Sequence, residues 1–492
     1  MITLKSAPPM EEVVKKLTQV WEVGVKSTHL INESWNPSAG TPVFTADGKY
    51  TSRGWTEWTQ GFQFGNSILL SEATDDKALL AYGRESTVKY MAPHVSHIGV
   101  HDHGFNNVST YGNLLRLMAQ GTTEYNPWEA EFYTLALKVS GAVQASRWTE
   151  LGGGKGYIHS FNGPHSLFAD TIRSLRSLAL GHELGHVLMG EQDSKNSLLD
   201  RLVAHADTTA KYIVYYGEAR DTWDLRGRTV HEAIFNTVSR VFRNPSTQQG
   251  YAPFATWTRG LAWIIAGYPE ELQWLDRPGA DSAATNPAPS PEVRDQIRAS
   301  WLRVACATAD FWLEQNPTDG IPYWDTGAPG LVHLGDYTNR PADPYNDHEP
   351  VDSSAAAISA QGLWRLADYL TENAALLSTK SLDLDGKGSR VHGTQEITQK
   401  AERYRQATLV MANTLFDEPY LSTGKNHQGI LLHSIYHRPN NWDFIPPGSK
   451  IPRGESSMWG DYHLLEFALM LDRVAKGKKP QNFFDIDLGD KK

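Results

Sequence analysis

Cysteine is nearly absent. Cys306 stands alone among 492 residues, which excludes an internal disulfide framework and any zinc site built from several thiolates. Long apolar runs are missing too: no stretch reaches eighteen residues, so no membrane-spanning helix is expected. Positive charge is in deficit, with 46 Lys and Arg against 56 Asp and Glu, a net charge of −10. A chain that holds polyphosphate is normally basic, so nucleic acid is not the expected partner. No Gly-rich loop follows a strand-like run, and the phosphate-loop and dinucleotide readings lose their context. The opening stretch MITLKSAPPMEEVVKKL has no long apolar segment before a cleavage site. It reads as the start of a mature soluble protein, cytoplasmic or with a signal already removed.

What is abundant is aromatic: Trp 16, Tyr 20, Phe 16. That is more rings than a core of this size hides, so some are expected in a cleft. Rings beside carboxylates suit sugars, whose ring faces are apolar and whose rims are hydroxyl.

Helical periodicity dominates the chain. Apolar residues recur at three- and four-residue spacing near 9–28, 58–74, 76–92, 106–120, 127–146, 171–189, 196–216, 257–268, 291–315, 353–371, 397–416 and 457–475. The gaps carry Gly, Pro, Asn and Asp. No strict thirty- to fifty-residue repeat is visible, which argues against a solenoid. Twelve helices with long Trp-, His- and Asp-rich connections predict an all-α fold, a closed (α/α)6 barrel of six hairpins. One large domain over 1–475 is expected, with a loop insertion near 273–291 and a C-terminal tail at 476–492.

HELGH at 182–186 matches the zinc-peptidase pattern HExxH. The extended pattern that adds a third His is not met: Gln192 stands there. Ile172, Leu175, Ala179, His182 and His186 instead fall on one stripe of a long predicted helix, and the imidazoles are expected to be core residues. No metal and no cofactor is expected.

A different constellation spans the chain: GWTEWTQGF at 54–62, VHDHGF at 100–105, FADT at 168–171, TVHEAIFN at 229–236, TQQGYAPFATWTRGLAW at 247–263, YWD at 323–325, DSSA at 352–355 and WGDYHLLE at 459–466. In this order the segments resemble glycoside hydrolase family 88, the unsaturated glucuronyl hydrolases. The resemblance runs from about residue 55 to 470 and implies an (α/α)6 barrel. Two departures stand out. Gln248 occupies a position where the family commonly has His, and Phe161 one where a cleft Trp is expected.

The resemblance implies an enzyme that removes a terminal 4,5-unsaturated glucuronic acid from oligosaccharides left by polysaccharide lyases. It hydrates the C4=C5 bond and needs two carboxylates. Asp170 would be the acid/base and Asp102 its partner, although Asp170 also stands where a helix N-cap belongs. Trp58, Phe161 and Trp257 would be sugar platforms, and His101, His231, Gln249 and Arg259 would line the cleft. Arg259 reads equally as a structural ion-pair member. Trp263, Trp324 and Trp459 read as core. The expected partner is an oligosaccharide, with no nucleic acid and no membrane. Other readings are a β-glucuronidase or unsaturated rhamnogalacturonyl hydrolase on the same scaffold, the zinc peptidase, and a non-catalytic sugar-binding barrel.

Overall fold

The computed structural model describes residues 1–54, 57–277, 289–424 and 426–489. Each of the twelve periodic segments is helical. The outer helices are α1 (Met10–Ser34), α3 (Lys77–Tyr90), α5 (Pro127–Ser146), α7 (Leu198–Tyr212), α9 (Pro291–Gln315) and α11 (Thr394–Leu415). The inner helices are α2 (Gln60–Thr74), α4, α6, α8 (Thr258–Leu275), α10 (Ser353–Glu372) and α12 (Met458–Ala475). Helix α4 runs from His103–Asn107 through a π-helical turn at Val108–Gly112 into Asn113–Ala119. Helix α6 comprises Thr171–Ser174 and Arg176–Glu183.

Packing follows composition. Inner helices such as TRGLAWIIAGYPEELQWL are apolar nearly all round and are buried on every face. Outer helices are amphipathic: α1 buries the stripe Val13, Leu17, Val20, Val23 and turns its charges outward. The inner helices touch in the order α2, α4, α6, α8, α10, α12 and back to α2, which closes the ring. The starts are chemically marked: Asn126 and Ser290 cap helices whose first residue is Pro.

Outer-to-inner connections are long, covering 35–59, 91–102, 147–170, 213–257, 316–352 and 416–457. Most returns are shorter. The long connections therefore gather at the N-terminal ends of the inner helices, and that end forms the mouth.

Two boundaries besides the end of α1, which runs on to Ser34, differ clearly from expectation. Helix α8 continues through Pro269 to Leu275. A Pro ordinarily ends a helix, but here it is buried within one. The expected loop insertion at 273–291 thus begins later, and residues 278–288 of it lie outside the described residues. The second difference is that α6 stops at Glu183, not near 189. The segment after 475 packs back on the barrel end opposite the mouth. Phe483, Ile486 and Leu488 are buried, and Arg365 donates to the Gln481 carbonyl at 2.7 Å and to Asn482 Oδ1 at 2.7 Å. Among the described residues no helix is long and apolar enough to cross a membrane.

Candidate active site

A cavity of about 430 Å³ opens at the mouth. Asp102 immediately precedes α4 and Asp170 immediately precedes α6, and both carboxylates face it. The two helices are held together at one point. Gly104 lies on the backbone of Ser174, where a Cβ would overlap the Ser174 carbonyl. The Gly104 amide donates to Ser174 Oγ at 2.8 Å, and Gln144 Nε2 donates to the His101 carbonyl at 2.7 Å and to Ser174 Oγ at 3.1 Å. The Gly of HDHGF is thus what lets the two aspartates meet. Ala ordinarily stabilises a helix relative to Gly by about 0.5–1 kcal/mol. Gly104→Ala is expected to do the reverse, lowering both the melting temperature and turnover. Thermal unfolding and an activity assay on the same preparation check it.

His101 lies between the carboxylates, 1% exposed, with Nε2 3.5 Å from Asp170 Oδ1 and 3.7 Å from Asp102 Oδ1. Burial lowers the proton affinity of His101, but the two carboxylates more than offset it and hold its pKa above the usual value. Burial, with the charge of Asp170, pushes Asp102 up against the opposing pull of His101. Burial also pushes Asp170 up, yet the charge of His101 beside it wins and holds it below the ordinary carboxylate range. Asp102 alone, a like charge nearby, would raise Asp170. The intervening imidazole reverses the sign. The ligand atoms of His101, Asp102 and Asp170 lie within 4.8 Å of one another, so the trio is also the group here that can hold a cation.

Asp170 occupies the N-cap position but caps nothing. Its backbone is already helical (φ −71°, ψ −22°) and its side chain accepts no amide of the first turn. The capping explanation of this residue therefore fails, and the carboxylate is left to the cavity.

The other predicted residues divide. Phe161 is 46% exposed at the rim and stacks over His101 at 6.0 Å. Trp58 is half-buried, stacked on Trp459 at 5.1 Å, and lines the opposite wall. Trp257 and Gln249 line the cavity as well. Arg259 reaches it, but its guanidinium is engaged: by Asp352 at 2.9 Å, by the carbonyls of Ile435 and Tyr436, and by Gln249 Oε1 at 3.0 Å. It organises the wall and orients Gln249. His231 does not line the cavity. It is buried behind Trp257 and Phe168, and its Nδ1 accepts the Gln248 amide at 2.9 Å, while burial lowers its pKa to about 4. A neutral ring with its proton on Nε2 follows. Trp263, Trp324 and Trp459 are buried.

Sequence reasoning missed the segment Tyr436, His437, Asn440 and Trp442, which forms one side of the cavity. YHRPNNW has aromatic, imidazole and amide groups crowded around a Pro, and that was the available signal.

HELGH is not a metal-binding helix face. The helix ends at Glu183 because Gly185 adopts φ 78°. The Gly185 amide bonds the His182 carbonyl at 2.9 Å and the His186 amide the Gly181 carbonyl at 2.8 Å, a Schellman closure. His186 thus lies beyond the helix and not on the expected stripe. His182 packs edge-on against Trp274, and Glu183 pairs with Arg277.

No protein-family model matches the chain. Similarity to known proteins runs along most of its length. An unsaturated glucuronyl hydrolase of Formosa agariphila is 26% identical over 413 residues, covering 83% of this chain and 78% of that protein. An unsaturated chondroitin disaccharide hydrolase of Streptococcus pyogenes is 22% identical, covering 92% and 90%. The crystal structure of unsaturated glucuronyl hydrolase from Bacillus sp. GL1 superposes with a TM-score of 0.64 at 20% identity, covering 94% of this chain and 97% of that one. With the closed six-hairpin ring and the order of the motifs, these likenesses support the resemblance of the chain to the unsaturated glucuronyl hydrolases, glycoside hydrolase family 88, along most of its length.

Proposed function

We propose that this chain removes a terminal 4,5-unsaturated glucuronic acid from lyase-generated oligosaccharides by hydrating the C4=C5 double bond, with Asp170 as acid/base and Asp102 as its partner. The observation that carries the reading is the carboxylate pair joined by His101 at the base of an aromatic-walled cavity.

The chemistry needs one proton in each direction. The Asp170 carboxyl protonates C4, and positive charge develops at C5 and the ring oxygen. Water adds at C5 and returns its proton to Asp170. The hemiketal so formed opens by breaking the bond from C5 to the ring oxygen, leaving a C5 ketone. The hemiacetal at C1 then expels the neighbouring sugar. Asp102 and His101 set the field in which this charge appears. Before substrate enters, Asp170, held below the ordinary carboxylate range, is ionised. The uronate carboxylate brings a third negative group into the cavity and raises the proton affinity of both aspartates. Substrate entry is thus what loads Asp170 with its proton. Arg259 is already held by Asp352. The uronate is therefore met by amide and imidazole groups of Gln249, Asn440 and His437, which also line the cavity.

The test is incubation with a panel of lyase products, following the ultraviolet absorbance of the conjugated double bond. The expected result is loss of absorbance with release of the neighbouring sugar. Unchanged absorbance across the panel would overturn the reading. None of these steps uses a metal, so chelator treatment is expected to leave turnover unchanged. Activity lost on chelation and restored by a divalent cation would mean that the trio of His101, Asp102 and Asp170 works as a metal site.

A further inference from the structure

We infer that three exposed rings outside the catalytic cavity, Tyr251, Phe254 and Trp223, form a stacking strip for the reducing-side sugars of oligosaccharides longer than a disaccharide. The inference rests on the proposed function, which places the unsaturated end in the cavity.

The three rings belong to one connection, residues 213–257 between α7 and α8, and this connection lies at the mouth. The strip starts at the cavity wall. Gln249 lines the cavity, and Tyr251 follows two residues later. Between them Gly250 is pressed so close to Trp257 that a Cβ would come 2.9 Å from the Trp257 Cβ. The Tyr251 amide is anchored on Asp325 Oδ2 at 2.8 Å, which fixes where the strip begins.

From there the rings follow one another. Tyr251 and Phe254 are edge to face with centroids 6.4 Å apart, and Phe254 and Trp223 are stacked at 5.4 Å. These are steps on the scale of one sugar ring. Arg228 ties the two halves of the connection by donating to the Pro253 carbonyl at 3.1 Å and to Asp221 at 2.7 Å. All three rings are open to solvent: Tyr251 is 45% exposed, Phe254 46% and Trp223 56%. Large aromatics left exposed side by side on a rigid loop mark a binding surface. The occupant that continuity with the cavity selects is the same saccharide chain, laying its apolar ring faces on the strip.

The experiment compares unsaturated di- and tetrasaccharides that share the same terminal disaccharide unit. Substrates are assayed with the wild-type chain, Trp223→Ala and Phe254→Ala, all checked for folding by circular dichroism. The wild type is expected to show the higher kcat/KM on the tetrasaccharide. Each variant is expected to lose about threefold to tenfold on the tetrasaccharide, through KM, and to keep its disaccharide rate. Equal rates of variant and wild type on both substrates, or equal losses on both, would overturn the strip while leaving the proposed function intact. If the wild type turns over neither substrate, the proposed function falls and the strip falls with it. Sedimentation supplies a last arm: a wild-type dimer that either substitution dissociates would make the patch a self-association surface and also overturn the inference.

Discussion

Asp170→Asn is expected to lower turnover by about 10²–10⁴-fold with substrate binding largely kept, because it removes general acid/base catalysis while preserving shape. The expected locus is kcat. The amide keeps the size of the carboxyl, and the platforms Phe161 and Trp58 are untouched. The competing account, a helix cap, predicts a loss of about 1 kcal/mol of stability and no chemical effect. The geometry separates the two in advance, since the Asp170 side chain accepts no first-turn amide. Melting should therefore change little in this variant. Steady-state kinetics on an unsaturated disaccharide, beside thermal unfolding, checks both halves. Near-wild-type turnover in a folded protein would remove Asp170 from the mechanism.

Asp102→Asn is expected to reduce turnover by a similarly large factor, on the order of 10²-fold or more, since it weakens the negative field at the developing cation. Its pH signature is distinctive. An acid catalyst must be protonated, so activity is lost on the alkaline side as pH rises through its pKa. Asp102 helps keep His101 protonated, and the His101 charge holds Asp170 low, so removing the Asp102 carboxylate weakens that hold and the alkaline limb should move to higher pH. His101 loses one of the two charges that hold its pKa up, so its imidazole, followed by nuclear magnetic resonance, should titrate at lower pH than in the wild type. If the pair acts as a unit, the double variant should be little worse than the worse single one. Fully multiplicative losses would show that the two aspartates act independently.

The barrel is legible in the sequence because its two kinds of helix are written differently. Inner helices such as 353–372 are nearly continuous small and apolar residues, and outer helices such as α1 are amphipathic. Their pairing as hairpins follows from chain order. The two aspartates were legible as motif members, in HDHGF and FADT. Their electrostatics were not, because these depend on His101 sitting between side chains that are sixty-eight positions apart in sequence, a distance fixed by the contact of Gly104 with Ser174. HELGH misled through periodicity alone. The apolar spacing continues past Glu183, while the backbone stops at Gly185, whose positive φ is the stop signal that a stripe count ignores. Arg259 shows a further limit: its place at the cavity could be read, but its engagement by Asp352 and two carbonyls arises from chain segments far away.

The most direct measurement compares two disaccharides that differ only at C4 and C5, one unsaturated and one saturated, as substrates for the wild-type chain. Hydration of a vinyl ether requires the double bond and does not attack the anomeric carbon. The account therefore predicts release of the neighbouring sugar from the unsaturated disaccharide, in step with loss of ultraviolet absorbance, and no release from the saturated one. Comparable cleavage of the saturated disaccharide would contradict it and point to direct attack at the glycosidic bond.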